Sequence, residues 1–311
     1  MGKKIIIDAD PGIGDAVAIA SALFDRRLEV LAVTAVAGSV DAEQATRNVQ
    51  AIIEQLDPVR WPRTGAASEP DGGRPADGKL LHGGDGLGNS HFEVSTLQNR
   101  HPAEKVICDE VRAAPGEVTI VALGPLTNIA RAINRDPQVA SEIGSLIIAG
   151  GAVTHPGNAT ACAEFNIFSD PASARQVFRA PITKTLVPLD VTEQVILTYD
   201  MFDSLPDEET NVGGFLRRIL PYAFRSYRQA MGVEGVYLYD AVALTLVTEP
   251  ELFSCEAMAA DVELTGSLTT GQTVFDRRSV PQWRPNMEVA RGVAVDSVLD
   301  SIISSLRAAA L

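Results

Sequence analysis

The stretch from Lys3 to Ala16 constrains the fold more than any other part of the chain. Three β-branched residues in a row, Ile5 to Ile7, indicate a buried strand. This apolar run stops at Asp8, and Pro11-Gly12 predicts a turn. An alanine-rich segment that begins near Asp15 then has the composition of a helix. A strand, an acidic turn and a helix in this order predict the first unit of an α/β domain, in which ligands bind at the carboxyl ends of the strands.

Three carboxylates, those of Asp8, Asp10 and Asp15, lie within this one turn. At such spacing they repel one another unless a cation lies between them. A cluster with oxygen ligands alone favours a hard cation, Ca²⁺ or Mg²⁺, over zinc. One aspartate at a turn would be interpreted as a helix cap or a solvated side chain. Three at the end of a buried strand indicate a metal or catalytic site instead.

Composition and charge narrow the class of protein. The chain has 311 residues, of which 46% are apolar, so it can bury a large core and is not a disordered chain. Its net charge of −14 argues against a nucleic-acid backbone as the partner. The three cysteines are widely spaced and predict neither a disulfide framework nor a zinc site. We find no signal-peptide core or membrane span in the sequence, and therefore expect a cytoplasmic enzyme.

Strand and helix patterns alternate along the first two thirds of the chain. The predicted strands are 5–7, 28–38, 118–123, 146–149 and 184–189, and the predicted helices are 16–24, 42–56, 103–113, 129–133 and 171–178. Helices are also predicted at 215–231, 241–246 and 293–306, and strands at 258–264 and 273–275. Residues 57–101 predict a long loop, with His82 and Asp85 among four glycines. We therefore predict a single domain, 1–311, with an open, mostly parallel Rossmann-like α/β sheet flanked by helices and additional helices in the C-terminal third.

Polar residues follow several of the predicted strands. Thr127-Asn128 come after strand 118–123, and Asp190 comes after strand 184–189. If these strands are parallel neighbours, the polar groups face one crevice together with the acidic turn. The loop 156–171 adds Asn158, Glu164 and Asn166, and amides with a carboxylate are suited to binding several sugar hydroxyls. The alternative is that these side chains bond their own backbone as turn residues.

The acidic turn, Asp8-Ala9-Asp10-Pro11-Gly12-Ile13-Gly14-Asp15-Ala16, resembles the opening motif of the inosine-uridine preferring nucleoside hydrolase family, which are calcium-dependent N-ribohydrolases. Further matches follow in order over nearly the whole chain, and together they are more specific than any one motif. They are His82-Gly83-Gly84-Asp85-Gly86-Leu87-Gly88, Gly124-Pro125-Leu126-Thr127-Asn128, Glu164-Phe165-Asn166, Leu189-Asp190-Val191-Thr192 and Tyr239-Asp240-Ala241-Val242-Ala243.

The resemblance implies hydrolysis of the N-glycosidic bond of a ribonucleoside by a homodimer or homotetramer with Ca²⁺ as cofactor. It implies that carboxylates hold Ca²⁺ together with one backbone carbonyl; the residues are Asp10, Asp15 and Asp240, with the carbonyl of Thr127. Asp10 would also be the general base for a calcium-bound water. The remaining implied contacts with the nucleoside involve Ser39, His82, Asn158, Glu164, Phe165, Asn166, Tyr227 and Tyr239.

Three departures from the family pattern concern the substrate. Gly14 replaces an Asp that in the family contacts the ribose, which removes a charge-assisted hydrogen bond and opens space beside the 2′ carbon. Ser39 replaces an Asn. Tyr239 stands where many members have the His that protonates the leaving base, and it is interpreted either as a weaker acid or as a wall of the base pocket. Our hypothesis is a hydrolase with a shifted substrate, such as a 2′-deoxy or 2′-modified nucleoside or one with a non-standard base.

Two other functions are weighed against this one. The chain could be a family member that has lost catalysis and binds a nucleoside or ribose, although the retained Asp10, Asp15 and Asp240 argue for an enzyme. More remotely, Asp8-Ala9-Asp10 after a strand resembles the nucleophile loop of haloacid-dehalogenase phosphatases. Those enzymes have Thr or Val where this chain has Gly12, so this alternative ranks low.

Overall fold

We describe the fold from a computed structural model in which residues 2–69, 77–96 and 100–308 are described. The strands are β1 Lys3–Ala9, β2 Leu28–Ala35, β3 Arg63–Gly65, β4 Thr119–Ala122, β5 Ser145–Ala149, β6 Lys184–Val187, β7 Ile196–Leu197, β8 Val236–Tyr237, β9 Phe253–Met258, β10 Ala260–Val262, β11 Thr273–Phe275 and β12 Met287–Val293.

The α-helices are α1 Ile13–Phe24, α2 Ala42–Leu56, α3 Lys79–His82, α4 Ala103–Ala113, α5 Thr127–Arg135, α6 Val139–Glu142, α7 Phe165–Ser169, α8 Pro171–Arg179, α9 Leu189–Thr192, α10 Asn211–Met231, α11 Tyr239–Thr248 and α12 Val295–Ala308. Two 3₁₀ helices, Tyr199–Ser204 and Pro250–Leu252, lie in the C-terminal half.

In the described part of the chain, eight strands form one sheet in the order β3-β2-β1-β4-β5-β6-β12-β9. Neighbouring strands are parallel except β12 and β9, which are antiparallel. β1 lies between β2 and β4, and Asp8 is in register with Thr34 on one side and Ala122 on the other. Because these parallel strands end together, the loops that follow β1, β2 and β4 meet at one edge of the sheet.

Both faces of the sheet are covered by helices, which explains why its central strands are continuous apolar runs. Alternate side chains of β1 enter different halves of the core: Ile5 and Ile7 pack with residues of α1, α2, α10 and α11, whereas Ile6 packs with residues of α4, α5 and α8. All three isoleucines are fully buried. The continuous apolar run therefore places β1 in the interior of the sheet, between two buried faces.

The prediction of an open, mostly parallel α/β sheet with extra C-terminal helices is confirmed. Several boundaries differ. The long loop predicted for 57–101 contains β3 and α3, and helix α10 begins at Asn211 rather than at 215, because Gly213-Gly214 hide the helical pattern. The strand predicted for 258–264 is interrupted, since β9 ends at Met258 and β10 begins at Ala260.

The C-terminal strands β9 and β12 have the weakest strand pattern in the sequence. β9 lies at the sheet edge and exposes its four central residues, so it has no apolar alternation. β12 was not predicted, and the closing helix begins at Val295 rather than at 293. Within the described residues, no helix combines the length and the apolar character needed to cross a bilayer.

Candidate active site

A cavity of about 320 Å³ opens at the carboxyl edge of the sheet. One side, which we call the carboxylate side, is formed by Asp10, Asp15 and Asp240. Another part of the lining, which we call the tyrosine side, is formed by His82, Tyr227 and Tyr239. Among the described residues that line the cavity, none is Lys or Arg. The cavity therefore has a strongly acidic side without a cationic side chain to balance it.

Asp10 follows β1 directly and is buried. Its Oδ2 accepts hydrogen bonds from the backbone N–H of Ser39, at 2.7 Å, and from Ser39 Oγ, at 3.0 Å. Two glycines make room for this carboxylate, because a Cβ at Gly38 or at Gly124 would overlap its oxygens. The structure thus brings Ser39 into the cavity as the residue that orients Asp10.

Asp15 and Asp240 lie in the first turns of α1 and α11. Asp15 Oδ2 accepts a hydrogen bond from Gly12 N at 3.0 Å, while its Oδ1 is buried without a hydrogen-bond partner among the described residues. A Cβ at Gly14 would overlap Asp240 Oδ2. The Asp240 carboxylate therefore occupies the space beside Gly14 that the sequence predicted to be open.

The three carboxylates act on one another electrostatically. Burial raises the pKa of each well above its usual range, and the neighbouring charge raises it further: Asp15 acts on Asp10, Asp240 on Asp15, and Asp10 on Asp240. The described residues contain no cluster of His, Cys, Asp or Glu already arranged as a coordination shell. The donors nevertheless fit a hard divalent cation, because they are oxygens, are buried, include the unpartnered Asp15 Oδ1, and repel one another unless a positive charge joins them.

Asp8 does not line the cavity, although the sequence grouped it with Asp10 and Asp15. Its Oδ1 accepts hydrogen bonds from Thr34 Oγ1 at 2.6 Å and from Asn128 Nδ2 at 2.8 Å. Burial raises the pKa of Asp8 to about 7. The side chain of Asp8 lies on the same face of the sheet as that of Ile6, toward α5. It therefore links β1 to β2 and α5 and does not join the carboxylate side of the cavity.

Thr127 does not line the cavity either. It is the first residue of α5, its Oγ1 donates to Asp170 Oδ2 at 2.7 Å, and it lines a neighbouring pocket. A carbonyl in the first turn of a helix points along the helix axis and away from this edge of the sheet. Leu123, rather than Thr127, lines the cavity, at the point where β4 ends. The backbone carbonyl of Leu123 accepts from Asn166 Nδ2 at 2.7 Å.

The predicted sugar-binding residues Asn158, Glu164, Phe165 and Asn166 all line the cavity. Glu164 is the N-cap of α7, and its carboxylate accepts from the backbone N–H groups of Gly151, Asn166 and Ile167 at 2.9–3.1 Å. Burial raises the pKa of Glu164.

The two asparagines are held by the backbone as well. Asn166 Nδ2 bridges the carbonyls of Leu123 and Ala149, and Asn158 Oδ1 accepts from Phe165 N at 2.8 Å. These side chains therefore bond the backbone and also line the cavity. In contrast, Asp190 accepts from Val153 N and Thr154 N and is not part of the lining.

The tyrosine side consists of His82, Tyr227 and Tyr239, and the ring of Tyr237 packs against those of both tyrosines. His82 Nδ1 accepts from Ile13 N at 3.1 Å, so its proton is on Nε2, and burial lowers the His82 pKa to about 4. The rings of Tyr227 and Tyr239 flank Tyr237, with centroid distances of 5.9 Å and 5.5 Å. Burial raises the pKa of both Tyr227 and Tyr239 far above the usual range. Tyr239 therefore does not ionise near neutral pH.

The comparisons with known proteins point to one family. The family model described as inosine-uridine preferring nucleoside hydrolase matches residues 5–300. The non-specific ribonucleoside hydrolase RihC of Shigella boydii is 39% identical over 277 residues, which are 89% of each chain. Uridine nucleosidase 1 of Arabidopsis thaliana is 36% identical, over 98% of this chain and 93% of its own.

Solved structures agree with this assignment. The plant nucleoside hydrolase PpNRh1 superposes with a TM-score of 0.89 at 32% identity, covering 98% of this chain and 99% of its own. The purine-preferring ribonucleoside hydrolase from Gardnerella vaginalis gives 0.90 at 30% identity, covering 99% of each. The chain therefore belongs to the inosine-uridine preferring nucleoside hydrolase family and is a nucleoside hydrolase, which splits a ribonucleoside into free base and ribose.

Proposed function

We propose that the carboxylate side holds Ca²⁺ and that Asp10 is the general base of the reaction. The observation that carries this proposal is the presence of three buried, mutually repelling carboxylates with an unpartnered oxygen on Asp15. Asp10, Asp15 and Asp240 would hold the ion, with the carbonyl of Leu123 in place of that of Thr127. Calcium accepts six to eight oxygen ligands in flexible geometry, which leaves positions for water and sugar hydroxyls.

A bound calcium ion supplies the positive charge that keeps the carboxylates ionised and lowers the pKa of a coordinated water. Asp10 is suited to take a proton from the attacking water, because Ser39 fixes one of its carboxylate oxygens through two hydrogen bonds. This fixed orientation keeps the base in one geometry relative to the sugar.

The acidic cavity also suits the electronic change in the sugar. Cleavage of an N-glycosidic bond builds positive, oxocarbenium-like charge on the ribose, as it does in O-glycoside cleavage. Glu164 is held rigidly by three backbone N–H groups, and it faces a cavity whose described lining contains no Lys or Arg. A fixed anionic surround of this kind stabilises the developing charge more than it stabilises the neutral substrate.

We propose that the enzyme discriminates only weakly at the 2′ position of the sugar. The named relatives comprise non-specific, uridine-cleaving and purine-preferring enzymes. With Gly14, this chain lacks a side chain there, and the Asp240 carboxylate fills the space. We therefore expect weak discrimination between ribose and 2′-deoxyribose rather than room for a bulky 2′ group.

A hydrolysis screen with and without Ca²⁺ tests the proposal. The substrates are inosine, uridine, cytidine and adenosine, their 2′-deoxy and 2′-O-methyl forms, and nitrophenyl riboside, whose leaving group needs no acid. We expect calcium-dependent cleavage and a deoxy-to-ribo ratio close to one. Rapid cleavage of ribonucleosides alone would contradict the altered sugar preference.

The non-catalytic alternative is separated by Asp10→Asn. A nucleoside-binding protein keeps its affinity with this change, whereas an enzyme loses turnover. Binding of a nucleoside with no turnover by the wild type in the presence of Ca²⁺ would favour the binding protein.

A further inference from the structure

Tyr239 belongs to a chain of three polar side chains that lies behind the tyrosine side of the cavity. Glu193 follows α9, and its two carboxylate oxygens face two different partners. Oε1 accepts from the Tyr239 hydroxyl at 3.2 Å, and Oε2 lies 3.2 Å from His155 Nε2. The Glu193 side chain is 16% exposed, so this contact is shielded from solvent.

His155 determines how Glu193 is held. Its Nδ1 lies 2.9 Å from the carbonyl oxygen of Pro156, which can only accept, so Nδ1 carries a proton. Its Nε2 faces the Glu193 carboxylate. This contact is made by Oε2, which leaves Oε1 as the acceptor toward Tyr239.

This arrangement fixes the hydrogen of the Tyr239 hydroxyl. A phenol has one hydrogen, and here it points to Glu193. Tyr239 lines the cavity, and its hydroxyl oxygen, whose hydrogen is donated to Glu193, retains lone pairs but no proton for a further partner. This excludes Tyr239, as it is held here, from the role of leaving-group acid that the sequence left open.

We propose that His155 and Glu193 are positioning residues that hold Tyr239 as a hydrogen-bond acceptor, so that this wall selects nucleobases presenting an N–H or amino group to it. The inference rests on the proposed function, because it requires the base to lie on the tyrosine side. The inference assigns base recognition, rather than acid catalysis, to Tyr239, one of the three residues at which the chain departs from the family pattern.

Matched nucleosides with and without a donor test this selection. Adenosine is compared with purine riboside, and uridine with pyrimidin-2-one riboside, as ratios of kcat/KM. The change of each ratio on mutation is the readout, because the intrinsic reactivity of the bases cancels. We expect Tyr239→Phe to lower the ratio about three- to tenfold in at least one pair, through KM for the donor-bearing nucleoside.

Changes at position 193 separate positioning from simple packing. Glu193→Leu removes the acceptor, and the ratio should fall toward that of Tyr239→Phe. Glu193→Gln supplies an amide oxygen that accepts from the same hydroxyl, and it should keep the ratio within about twofold of the wild type. Tyr199→Phe is the matched control, since Tyr199 is 71% exposed and outside the cavity lining. Thermal melting of each variant reports whether it is folded.

Two results would overturn the inference. A fall in kcat of about 100-fold or more for both members of a pair in Tyr239→Phe would identify Tyr239 as the acid. Unchanged ratios in both pairs would show that the base does not contact it. Failure of the wild type to cleave nitrophenyl riboside with Ca²⁺ would instead refute the proposed function, so the two failures are distinguishable.

Discussion

The carboxylate side and the tyrosine side of the cavity are held in different ways. On the carboxylate side, Asp10 is fitted between Gly38 and Gly124, and Asp240 is fitted against Gly14. On the tyrosine side, side chains hold one another, as Glu193 holds Tyr239. The charged centre therefore depends on the absence of side chains at three glycines, whereas the tyrosine side depends on a hydrogen bond between side chains.

The largest expected effect is on the carboxylate side. Asp10→Asn removes the proposed general base, and kcat for the best substrate of the screen should fall about 10²–10⁴-fold with little change in fold. Steady-state kinetics with saturating Ca²⁺ measure this. Asp41→Asn is a matched control, because Asp41 is an exposed cap of α2 outside the cavity. Equal kcat values for Asp10→Asn and the wild type would break the assignment.

The fit of Asp240 against Gly14 can be tested by refilling that space. Gly14→Ala adds steric overlap, and Gly14→Asp adds both overlap and a fourth carboxylate. Without metal, both variants should melt below the wild type, by an amount equivalent to about 1–3 kcal/mol for the alanine. Ca²⁺ should raise the melting temperature of Gly14→Asp more than that of Gly14→Ala. An equal rise in both variants would indicate that the charge of the added carboxylate does not contribute to the loss of stability.

The two sides should also respond oppositely to pH in the metal-free protein. The raised pKa values of Asp10, Asp15 and Asp240 favour the folded state at low pH, and this contribution is lost as the pH rises through the folded-state values. The His82 pKa is lowered to about 4, so the unfolded chain binds its proton first and stability falls from about pH 6.5 to pH 4.

Replacement of His82 isolates the second response. In His82→Gln, the free energy of unfolding should decrease less between pH 6.5 and pH 4 than in the wild type. The reason is that the unfolded chain no longer gains a proton at residue 82. Urea unfolding at several pH values measures this difference, in which the carboxylate contributions cancel. His91→Gln, at a side chain that is 78% exposed, should follow the wild type. Parallel curves for His82→Gln and the wild type would contradict the buried, neutral state of His82.

The smallest effect is expected at the edge of the tyrosine side. His155→Ala removes a partly exposed partner of Glu193, whose interaction is worth about 0.2–1 kcal/mol in pairs of this kind. We expect a rise in KM of about five-fold or less for a donor-bearing nucleoside, with kcat retained. Steady-state kinetics detect this split, and a larger loss in kcat than in KM would indicate that His155 does more than position Glu193.

Much of the fold follows from the sequence, because the alternation of strand and helix patterns predicts parallel pairing, and β1 is parallel to both of its neighbours. Side chains that the sequence assigned to the cavity, such as Asp10 and Glu164, do line it. The Leu123 carbonyl, which we propose in place of that of Thr127, could not be predicted, because a backbone carbonyl has no residue signature. Glu193 was missed because its contact with Tyr239 joins residues 46 positions apart, a distance over which periodicity carries no information.

Calcium binding to metal-free protein, measured by titration calorimetry in buffers of different ionisation enthalpy, tests whether the carboxylate side is a metal centre. We expect one ion per chain, with net proton release, because the raised pKa values of Asp10, Asp15 and Asp240 must fall when a cation joins them. We also expect severe loss of binding in Asp15→Asn and Asp240→Asn. Absence of binding, or binding that survives both substitutions unchanged, would contradict the assignment of the carboxylate side as the metal centre.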